Sequence, residues 1–362
     1  MYDEIAHLLS QFQPDGWSQD LLTAGFVSDF VIEGESLNIR VRLPFAGTGV
    51  LAQLQGLDST LCQLVECQAA GVSHVVWHVS QEVATLARAT TTPGISGVRN
   101  ILAVASGKGG VGKSTTAVNL ALALRQEGAR VGLLDADIYG PSIPLMLGCQ
   151  HERPVSHDGK FMQPVVAHGL ASNSIGYLVP EGEAAVWRGP MASKALQQIL
   201  NETRWGELDY LIVDMPPGTG DIQLTMAQQV PTTAAVVVTT PQDIALADAR
   251  KGIAMFAKVQ IPVLGIIENM SYHICSQCGH HEPLFGTGGG ERVASQYGLA
   301  LLGQMPLHIQ IREHMDAGLP TLLAEPAGEL ANRYRQMARK LAAVLYFSGT
   351  PIPSSIFTTN LG

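Results

Sequence analysis

The octet at positions 107–114 holds the residues whose types and spacing indicate chemistry most directly. It reads Gly-Lys-Gly-Gly-Val-Gly-Lys-Ser, matches the pattern G-x-x-x-x-G-K-[ST], and lies between an apolar segment and a helical pattern. Glycines let such a loop curl until its backbone N–H groups converge on phosphate oxygens, and the helix that follows adds the positive end of its dipole. In this pattern Lys113 reaches the β- and γ-phosphates and Ser114 ligates Mg²⁺. The octet therefore predicts a phosphate-binding loop, with ATP and Mg²⁺ as the expected ligands.

Acidic residues follow two further apolar segments. The segment 135–142 reads Asp-Ala-Asp-Ile-Tyr-Gly-Pro-Ser, and the segment 211–221 reads Leu-Ile-Val-Asp-Met-Pro-Pro-Gly-Thr-Gly-Asp. Ligands of open α/β sheets bind outside the carboxyl ends of the strands, so Asp135, Asp137 and Asp214 are expected to complete the site. The plainer interpretation is that these are buried aspartates that cap neighbouring turns.

Cys275 and Cys278 form a C-x-x-C pair, which lets two thiolates hold one metal ion or one edge of a cluster. Tetrahedral zinc and a [4Fe–4S] cluster each ordinarily need four ligands, so one chain supplies half of the set. Two chains related by a two-fold axis supply four cysteines, which predicts a [4Fe–4S] cluster bridging a homodimer. The main alternative is zinc, held by the same four cysteines or by Cys275 and Cys278 with a histidine at 273, 280 or 281. A further alternative is a redox-active dithiol.

The elements that must position these residues alternate from about residue 100 onward. Apolar runs predict strands at 101–105, 130–134, 210–213, 234–239, 262–267 and 301–305, and helical patterns lie at 113–127, 192–201, 223–229, 245–258, 291–297 and 328–346. Such alternation is typical of βαβ units around a parallel sheet. Residues 20–89 instead read as a small α+β unit with a hairpin that turns at Gly34. The predicted fold class is α/β, a mostly parallel P-loop sheet flanked by helices and preceded by that small domain.

A segment rich in Thr, Gly and Pro separates the two patterns and reads as a linker. We therefore divide the chain into a small α+β domain at 1–87, a linker at 88–99 and an ATPase domain at 100–362.

Composition restricts the class of protein. Hydrophobic residues make up 46% of the 362 positions and charged residues 15%, which excludes a disordered chain. The longest apolar runs are too short for a membrane span, and the first residues show no secretory signal, so we expect a cytoplasmic protein with no membrane partner. An odd number of cysteines, five, fits a reducing compartment. The net charge of −9 argues against a nucleic-acid partner.

Taken together, these segments resemble the bacterial Mrp/ApbC family of iron–sulfur cluster carriers. The similarity covers about residues 100–343 and includes the Glu-Asn-Met-Ser stretch at 268–271 and the Phe-Gly-Thr-Gly-Gly-Gly stretch at 285–290. Lys108 resembles the signature lysine of the deviant Walker A ATPases, which reaches the nucleotide of a partner subunit. The resemblance implies a dimeric ATPase that binds a cluster, receives it from the assembly machinery and passes it to apoproteins.

The resemblance also implies roles for individual residues. In that family pattern Asp214 holds Mg²⁺ through water and Gly218 senses the γ-phosphate. Asp137 orients the attacking water and Asp135 lies near Mg²⁺; which of these two aspartates has which role stays open. Lys108, Lys113 and Asp137 form the expected catalytic set, and slow hydrolysis is expected to gate cluster transfer. The full set expected to bind nucleotide is Gly107, Lys108, Gly109, Gly110, Val111, Gly112, Lys113, Ser114, Thr115, Asp135, Asp214 and Asn269, the last as the residue that reads adenine.

The first 87 residues resemble a SufT-like domain, on the stretches Leu21–Val27 and Leu43-Pro44-Phe45. Where many such domains carry a cysteine next, this chain has Ala46-Gly47-Thr48-Gly49, so partner docking is the expected role. Trp187–Met191 also resembles a segment of the Mrp/ApbC family, without an assigned chemistry.

A partitioning or positioning ATPase without a cluster is the alternative from another class. Such proteins usually carry a basic amphipathic tail or a basic surface, whereas residues 347–362 contain no Lys or Arg. A zinc-binding regulatory ATPase shares every motif and differs only in the metal.

Overall fold

The N-terminal part of the chain folds around a small three-stranded sheet. This computed structural model describes residues 3–88, 92–178, 189–275 and 277–353. The first elements are α1 (Asp3–Gln11), β1 (Val27–Glu33), β2 (Ser36–Leu43), α2 (Leu51–Gln55), α3 (Asp58–Gln63), α4 (Val65–Ala69) and β3 (His74–Gln81). The hairpin of β1 and β2 turns at Gly34, whose φ of 60° lies in the left-handed region that glycine tolerates. Strand β2 pairs with β3 in parallel, and the connecting helices provide the crossover that parallel pairing requires.

The large sheet confirms the predicted class. It consists of β4 (Val98–Ala105), β5 (Val131–Asp135), β6 (Val165–Ala167), β7 (Leu170–Ser174), β8 (Leu208–Asp214), β9 (Ala234–Thr239), β10 (Val263–Glu268) and β13 (Ala300–Gln304). A short hairpin supplies β11 (His273–Ile274) and β12 (His281–Glu282). The order across the large sheet is β13-β10-β9-β4-β8-β5-β7-β6, and every neighbouring pair is parallel except β6 with β7. The central strands are buried along their whole length, which explains their continuous apolar runs.

Helices cover both faces of this sheet. They are α5 (Lys113–Gln126), α6 (Ile143–Met146), α7 (Gly189–Asn201), α8 (Asp221–Gln229), α9 (Asp243–Lys258), α10 (Gly289–Tyr297), α11 (Ile309–Asp316), α12 (Thr321–Ala324) and α13 (Glu329–Ser348). One hydrophobic core contains residues of α5, α6 and α11–α13, and the other contains residues of α7–α10. None of the helices in the described ranges is long and apolar enough to cross a membrane.

Strands β6 and β7 and helix α11 have no counterpart among the elements predicted from the sequence. Strand β7 reads Leu-Ala-Ser-Asn-Ser, yet Ser172, Asn173 and Ser174 are buried. Their side chains find hydrogen-bond partners in the core, for example Val165 O for Ser172 and Thr203 Oγ1 for Asn173. A strand stabilised by buried polar contacts lacks the apolar pattern on which the sequence prediction depends.

The N-terminal unit is packed tightly against the ATPase sheet. Its interior and one face of the large sheet share one hydrophobic core. An aromatic cluster joins Trp17, Phe26 and Phe45 to Tyr346 and Phe347 at the end of α13, with ring centroids 5.2–6.2 Å apart.

Polar contacts reinforce this packing at the amino edge of the sheet. Asn100, near the start of β4, accepts from Leu86 N and donates to Ala84 O. The buried carboxylate of Glu127 accepts from Gly49 N and pairs with Arg339. The N-terminal unit therefore lies at the edge opposite the phosphate loop. The predicted boundaries at 87 and 99 stay a prediction, and Trp187 and Arg188 lie outside the described residues.

Candidate functional site

The phosphate loop connects β4 to α5 at the carboxyl edge of the sheet. Ser106 Oγ donates to Lys108 O over 2.8 Å, and Gly110 and Gly112 have φ values of 81° and 80°, which only glycine adopts without strain. A Cβ on Gly109 or on Gly110 would meet nothing within 4 Å. The outer side of the loop is therefore open, as phosphate binding by its backbone N–H groups requires.

Lys113, Ser114 and Asp214 form one hydrogen-bonded group at the start of α5. Lys113 Nζ lies 2.6 Å from Asp214 Oδ1 and 3.2 Å from Ser114 Oγ, and Ser114 Oγ donates to Asp214 Oδ2 over 2.6 Å. The group combines a hydroxyl and a carboxylate, the oxygen ligands that Mg²⁺ prefers, next to a lysine that can follow phosphate oxygens. The residues present thus fit Mg²⁺ bound together with a nucleotide.

Asp135 and Asp137 lie near the same lysine, and Asp135 is the in-register neighbour of Asp214. Asp137 Oδ2 is 4.0 Å from Lys113 Nζ, and burial raises the pKa of Asp137. Asp135 is completely buried, and burial together with the neighbouring Asp214 raises its pKa to about 7. Burial also raises the pKa of Asp214. Three carboxyl groups converge on one lysine, so the site is well suited to bind an additional cation.

Ser174 is a polar contact of this site that sequence reasoning missed. Its Oγ donates to Asp135 Oδ2 over 2.9 Å, and the same oxygen accepts from Ile143 N over 3.2 Å. Asp135 Oδ1 accepts from Asp137 N over 3.1 Å. Ser174 belongs to a strand that the apolar pattern did not reveal, and no sequence motif marks it.

The remaining predicted nucleotide contacts lie around the loop. Asn269 is buried and donates from Nδ2 to Val111 O over 2.9 Å, so the structure places it at the loop. A Cβ on Gly112 would lie 2.2 Å from Asn269 Nδ2, which explains the glycine. Gly218 donates from its N–H to Ser106 O over 2.9 Å and adopts a φ of 104°. The contact of Asn269 with adenine stays a prediction.

Two further predicted residues complete this neighbourhood. Lys108 is half-buried within the loop, and Thr115 is half-buried in the first turn of α5. The structure therefore brings the phosphate loop, the three aspartates and Asn269 together at one edge of the sheet.

Cys275 and Cys278 lie in the turn of the hairpin formed by β11 and β12. Cys275 N donates to His280 O, Gly279 N donates to Cys275 O, each over 2.9 Å, and Gly279 has a φ of 70°. The backbone N–H groups of Gln277 and Cys278 lower the pKa of the Cys275 thiol, because they stabilise its thiolate. Both cysteines are free; Cys275 is half-buried and Cys278 is exposed. Such a turn can present a pair of cysteine side chains to a metal or cluster.

The hairpin is braced on one side by stacked side chains. The rings of Tyr272 and His281 stack with centroids 4.9 Å apart, and the Arg333 guanidinium of α13 lies 5.8 Å from the Tyr272 ring. Within the described ranges, no three or more Cys, His, Asp or Glu side chains are grouped so that they could hold a metal. One chain therefore offers the two thiols of the hairpin.

Comparison with known proteins places these features in context. Residues 97–342 match the ParA family model described as NUBPL iron-transfer P-loop NTPase. The chain is 56% identical over 352 residues to an iron-sulfur cluster carrier protein of Escherichia coli strain K12, a match that covers 97% of this chain and 94% of that protein. It is 47% identical over 252 residues to the iron-sulfur cluster transfer protein NUBPL of Dictyostelium discoideum, covering 69% and 78% of the two chains.

A solved structure supports the same fold. A nucleotide-binding protein of Archaeoglobus fulgidus, in complex with ADP and with cobalt found in it, is 37% identical and superposes with a TM-score of 0.55. The match covers 61% of this chain and 87% of that protein.

Proposed function

The chain belongs to the ParA family of NUBPL-type iron-transfer P-loop NTPases, and from this premise we propose that it is an ATP-hydrolysing carrier of iron–sulfur clusters. The protein binds a cluster and passes it to apoproteins. Its relatives in Escherichia coli and Dictyostelium discoideum are a cluster carrier and a cluster transfer protein by name, which supports this function.

A single structural observation carries the proposal. Strand β10 leads into Asn269, which holds the phosphate loop through Val111, and the chain then continues directly into the hairpin with Cys275 and Cys278. One continuous segment therefore contacts the phosphate loop and carries the thiol pair. ATP binding at one end of that segment can control the hold on a cluster at the other.

The cluster is proposed to be a [4Fe–4S] cluster between two copies of the chain. Cys275 and Cys278 of each copy supply four thiolates around a two-fold axis, and the lowered pKa of Cys275 favours the ligating form. In the proposed homodimer the two phosphate loops would face each other. Lys108 would then reach the nucleotide of the partner subunit, and the homodimer would be linked by ATP.

In hydrolysis, Lys113 neutralises negative charge on the β- and γ-phosphates, and Asp137 orients the attacking water, with Lys108 as the second catalytic lysine. Ser114 and Asp214 would hold Mg²⁺, which supplies charge neutralisation at the phosphates. Asp135, which accepts a hydrogen bond from Ser174, adds a further carboxyl group beside Asp214. Direct attack by water without an additional activating group is slow, so hydrolysis gates cluster transfer.

The proposed partners are apo iron–sulfur proteins and the cluster assembly machinery, in the cytoplasm. The thiol pair beside a nucleotide site favours this function over a partitioning or positioning ATPase, which has no use for the pair. Zinc at the same four thiols is the remaining alternative, since a zinc-binding regulatory ATPase would show the same geometry.

Replacement of Cys275 by alanine tests the function. We expect anaerobic reconstitution of the wild-type dimer to yield about four iron and four sulfide with little zinc, as a bridging [4Fe–4S] cluster contains. Cys275→Ala should lose bound iron and still bind ATP, because the hairpin turn lies beyond the phosphate loop. Cys62→Ala, a half-buried cysteine of the N-terminal unit, serves as the control and should retain the cluster.

Metal analysis and Mössbauer spectra decide the outcome. Stoichiometric zinc without sulfide would identify the zinc alternative. A complete cluster in Cys275→Ala would contradict the assignment of this cysteine. Cosedimentation of the wild-type protein with liposomes or DNA in the presence of ATP would favour the partitioning alternative.

A further inference from the structure

The carboxylate of Glu268 joins three parts of the chain at the end of β10. Its Oε1 accepts from Ser271 Oγ over 2.7 Å and from Gln304 Nε2 over 2.8 Å, and its Oε2 accepts from Gly290 N. Ser271 lies at the base of the cysteine hairpin, Gln304 ends β13, and Gly290 lies in the first turn of α10. One buried side chain thus holds the hairpin base, a neighbouring strand and a helix together.

The next residue connects this cluster of contacts to the nucleotide site. Asn269 donates from Nδ2 to Val111 O in the phosphate loop, and its own N–H donates to Thr239 O over 2.8 Å. Met270, with a φ of 55°, turns the chain, and Ser271 N then donates to Met305 O over 2.9 Å. The four residues 268–271 are therefore held by hydrogen bonds at both ends.

The chemistry of Glu268 makes these contacts sensitive to change. The side chain is buried, and its oxygens are satisfied by an alcohol, an amide and a backbone N–H, none of which carries a full charge. A buried carboxylate depends on every such donor, and the N-terminus of α10 adds a favourable dipole. A Cβ on Gly290 would lie 3.0 Å from Glu268 Cβ and Oε2, so this close approach needs the glycine.

We infer that Glu268 is a positioning residue that couples the phosphate loop to the cysteine hairpin. The inference rests on the proposed function, in which the nucleotide controls the hold on a cluster. We expect phosphate binding to shift the Val111 carbonyl and, through this hydrogen bond, Asn269. Glu268 transmits that displacement, because it holds Ser271 rigidly to the end of β10 and to α10.

The test measures the reactivity of the two thiols as a function of nucleotide. Cys275 and Cys278 of the full-length chain are alkylated under anaerobic, reducing conditions without a cluster, with and without ATP and Mg²⁺, and the rates are read by mass spectrometry. We expect ATP to change the wild-type rate by about fivefold or more, the usual size of coupling between two sites. In Glu268→Gln the change in alkylation rate caused by ATP should fall below about twofold. The amide NH₂ is itself a donor, so it cannot accept the hydrogen bonds that the carboxylate oxygen at its position accepts.

Two further variants separate coupling from local damage. Ser271→Ala keeps the carboxylate and removes one donor, so it should weaken the ATP effect in the same direction and decides the test if Glu268→Gln does not fold. Glu282→Gln is the control, because it removes an exposed carboxylate of the same hairpin whose charge acts on Cys275. This variant should retain the wild-type change in alkylation rate on addition of ATP. ATP affinity is measured for every variant.

Three outcomes would overturn the inference. They are a wild-type thiol reactivity that does not respond to ATP, a full response in both Glu268→Gln and Ser271→Ala, and loss of ATP binding in both variants. The thiol readout needs no cluster. If the wild-type protein bound no iron after reconstitution, the proposed function would be contradicted. The alkylation rates would still show whether ATP affects the two thiols.

Discussion

At the scale of single residues, the site is defined by carboxyl groups that burial makes costly to ionise. Asp135 and Asp214 end neighbouring strands in register, and Lys113 forms an ion pair with Asp214 and also lowers the cost of charge on Asp135. Burial therefore disfavours the charged forms of these carboxyl groups, a cost that a bound cation would offset. Function at this site is expected to cost stability, as it commonly does in active sites.

Replacement of Asp135 by asparagine tests this cost through the pH dependence of stability. The pKa of Asp135 is raised to about 7 in the folded protein from 3.8, so protonation stabilises the fold. That stabilisation is complete below pH 3.8 and is lost as the pH rises through about 7. Relative to wild type, Asp135→Asn should therefore gain roughly 2–3 kcal/mol in the free energy of unfolding between pH 5 and pH 8.

Urea denaturation without nucleotide or Mg²⁺ at the two pH values measures this difference. Asp158→Asn is the control, because that exposed carboxyl group has a lowered pKa of about 2 and titrates below the range used. An equal stability difference between Asp135→Asn and wild type at both pH values would contradict the prediction.

At the scale of elements, the glycines before α10 allow its first turn to pack closely on its neighbours. A Cβ on Gly289 would lie 2.6 Å from Leu246 Cδ1 of α9 and 3.0 Å from Pro241 O. The glycine-rich stretch after the cysteine hairpin therefore has a packing role that is independent of any ligand. It brings the N-terminus of α10 to the Glu268 carboxylate through Gly290.

Gly289→Ala should therefore destabilise the protein. Because Pro241 O belongs to the backbone and cannot move aside easily, we expect a loss of about 1–3 kcal/mol in the free energy of unfolding, as overpacked cores show. Gly140→Ala is the matched control, since its Cβ would meet nothing within 4 Å, and it should be near neutral. Denaturant titration compares the two, and equal stabilities would refute close packing at α10.

At the scale of the whole molecule, the two sheets form one hydrophobic structure. The core of the N-terminal unit continues into one face of the ATPase sheet, and the end of α13 closes the aromatic cluster around Phe45. The phosphate loop and the cysteine hairpin both lie at the carboxyl edge, away from this junction. The N-terminal unit thus extends the core of the ATPase sheet at the end far from the phosphate loop.

Phe45→Ala should lower the stability of the entire chain. Removing a buried phenylalanine side chain costs about 3–5 kcal/mol, and the shared core should transmit that loss to a single unfolding transition. Phe161→Ala, at a half-buried ring that contacts Lys160 and Arg204, is the control and should cost much less. Calorimetry tests this expectation, and a separate early transition for the N-terminal unit would contradict it.

The sequence alone determined the chemistry whose residues are neighbours along the chain. The octet 107–114 and the C-x-x-C pair predict a phosphate loop and a thiol pair, because short loops impose their own geometry. The apolar runs predicted the central parallel strands, which the structure confirms. The sequence also predicted that Asp135, Asp137 and Asp214 join this loop, but only the tertiary structure revealed the distant partners that no motif marks. Ser174 reaches Asp135 across 39 residues from a polar strand, and Glu268 accepts from Gly290 and Gln304, which are 22 and 36 residues away. Hydrogen bonds between remote, buried polar groups leave no periodic pattern in a sequence, so folding had to bring these partners together before they could be recognised.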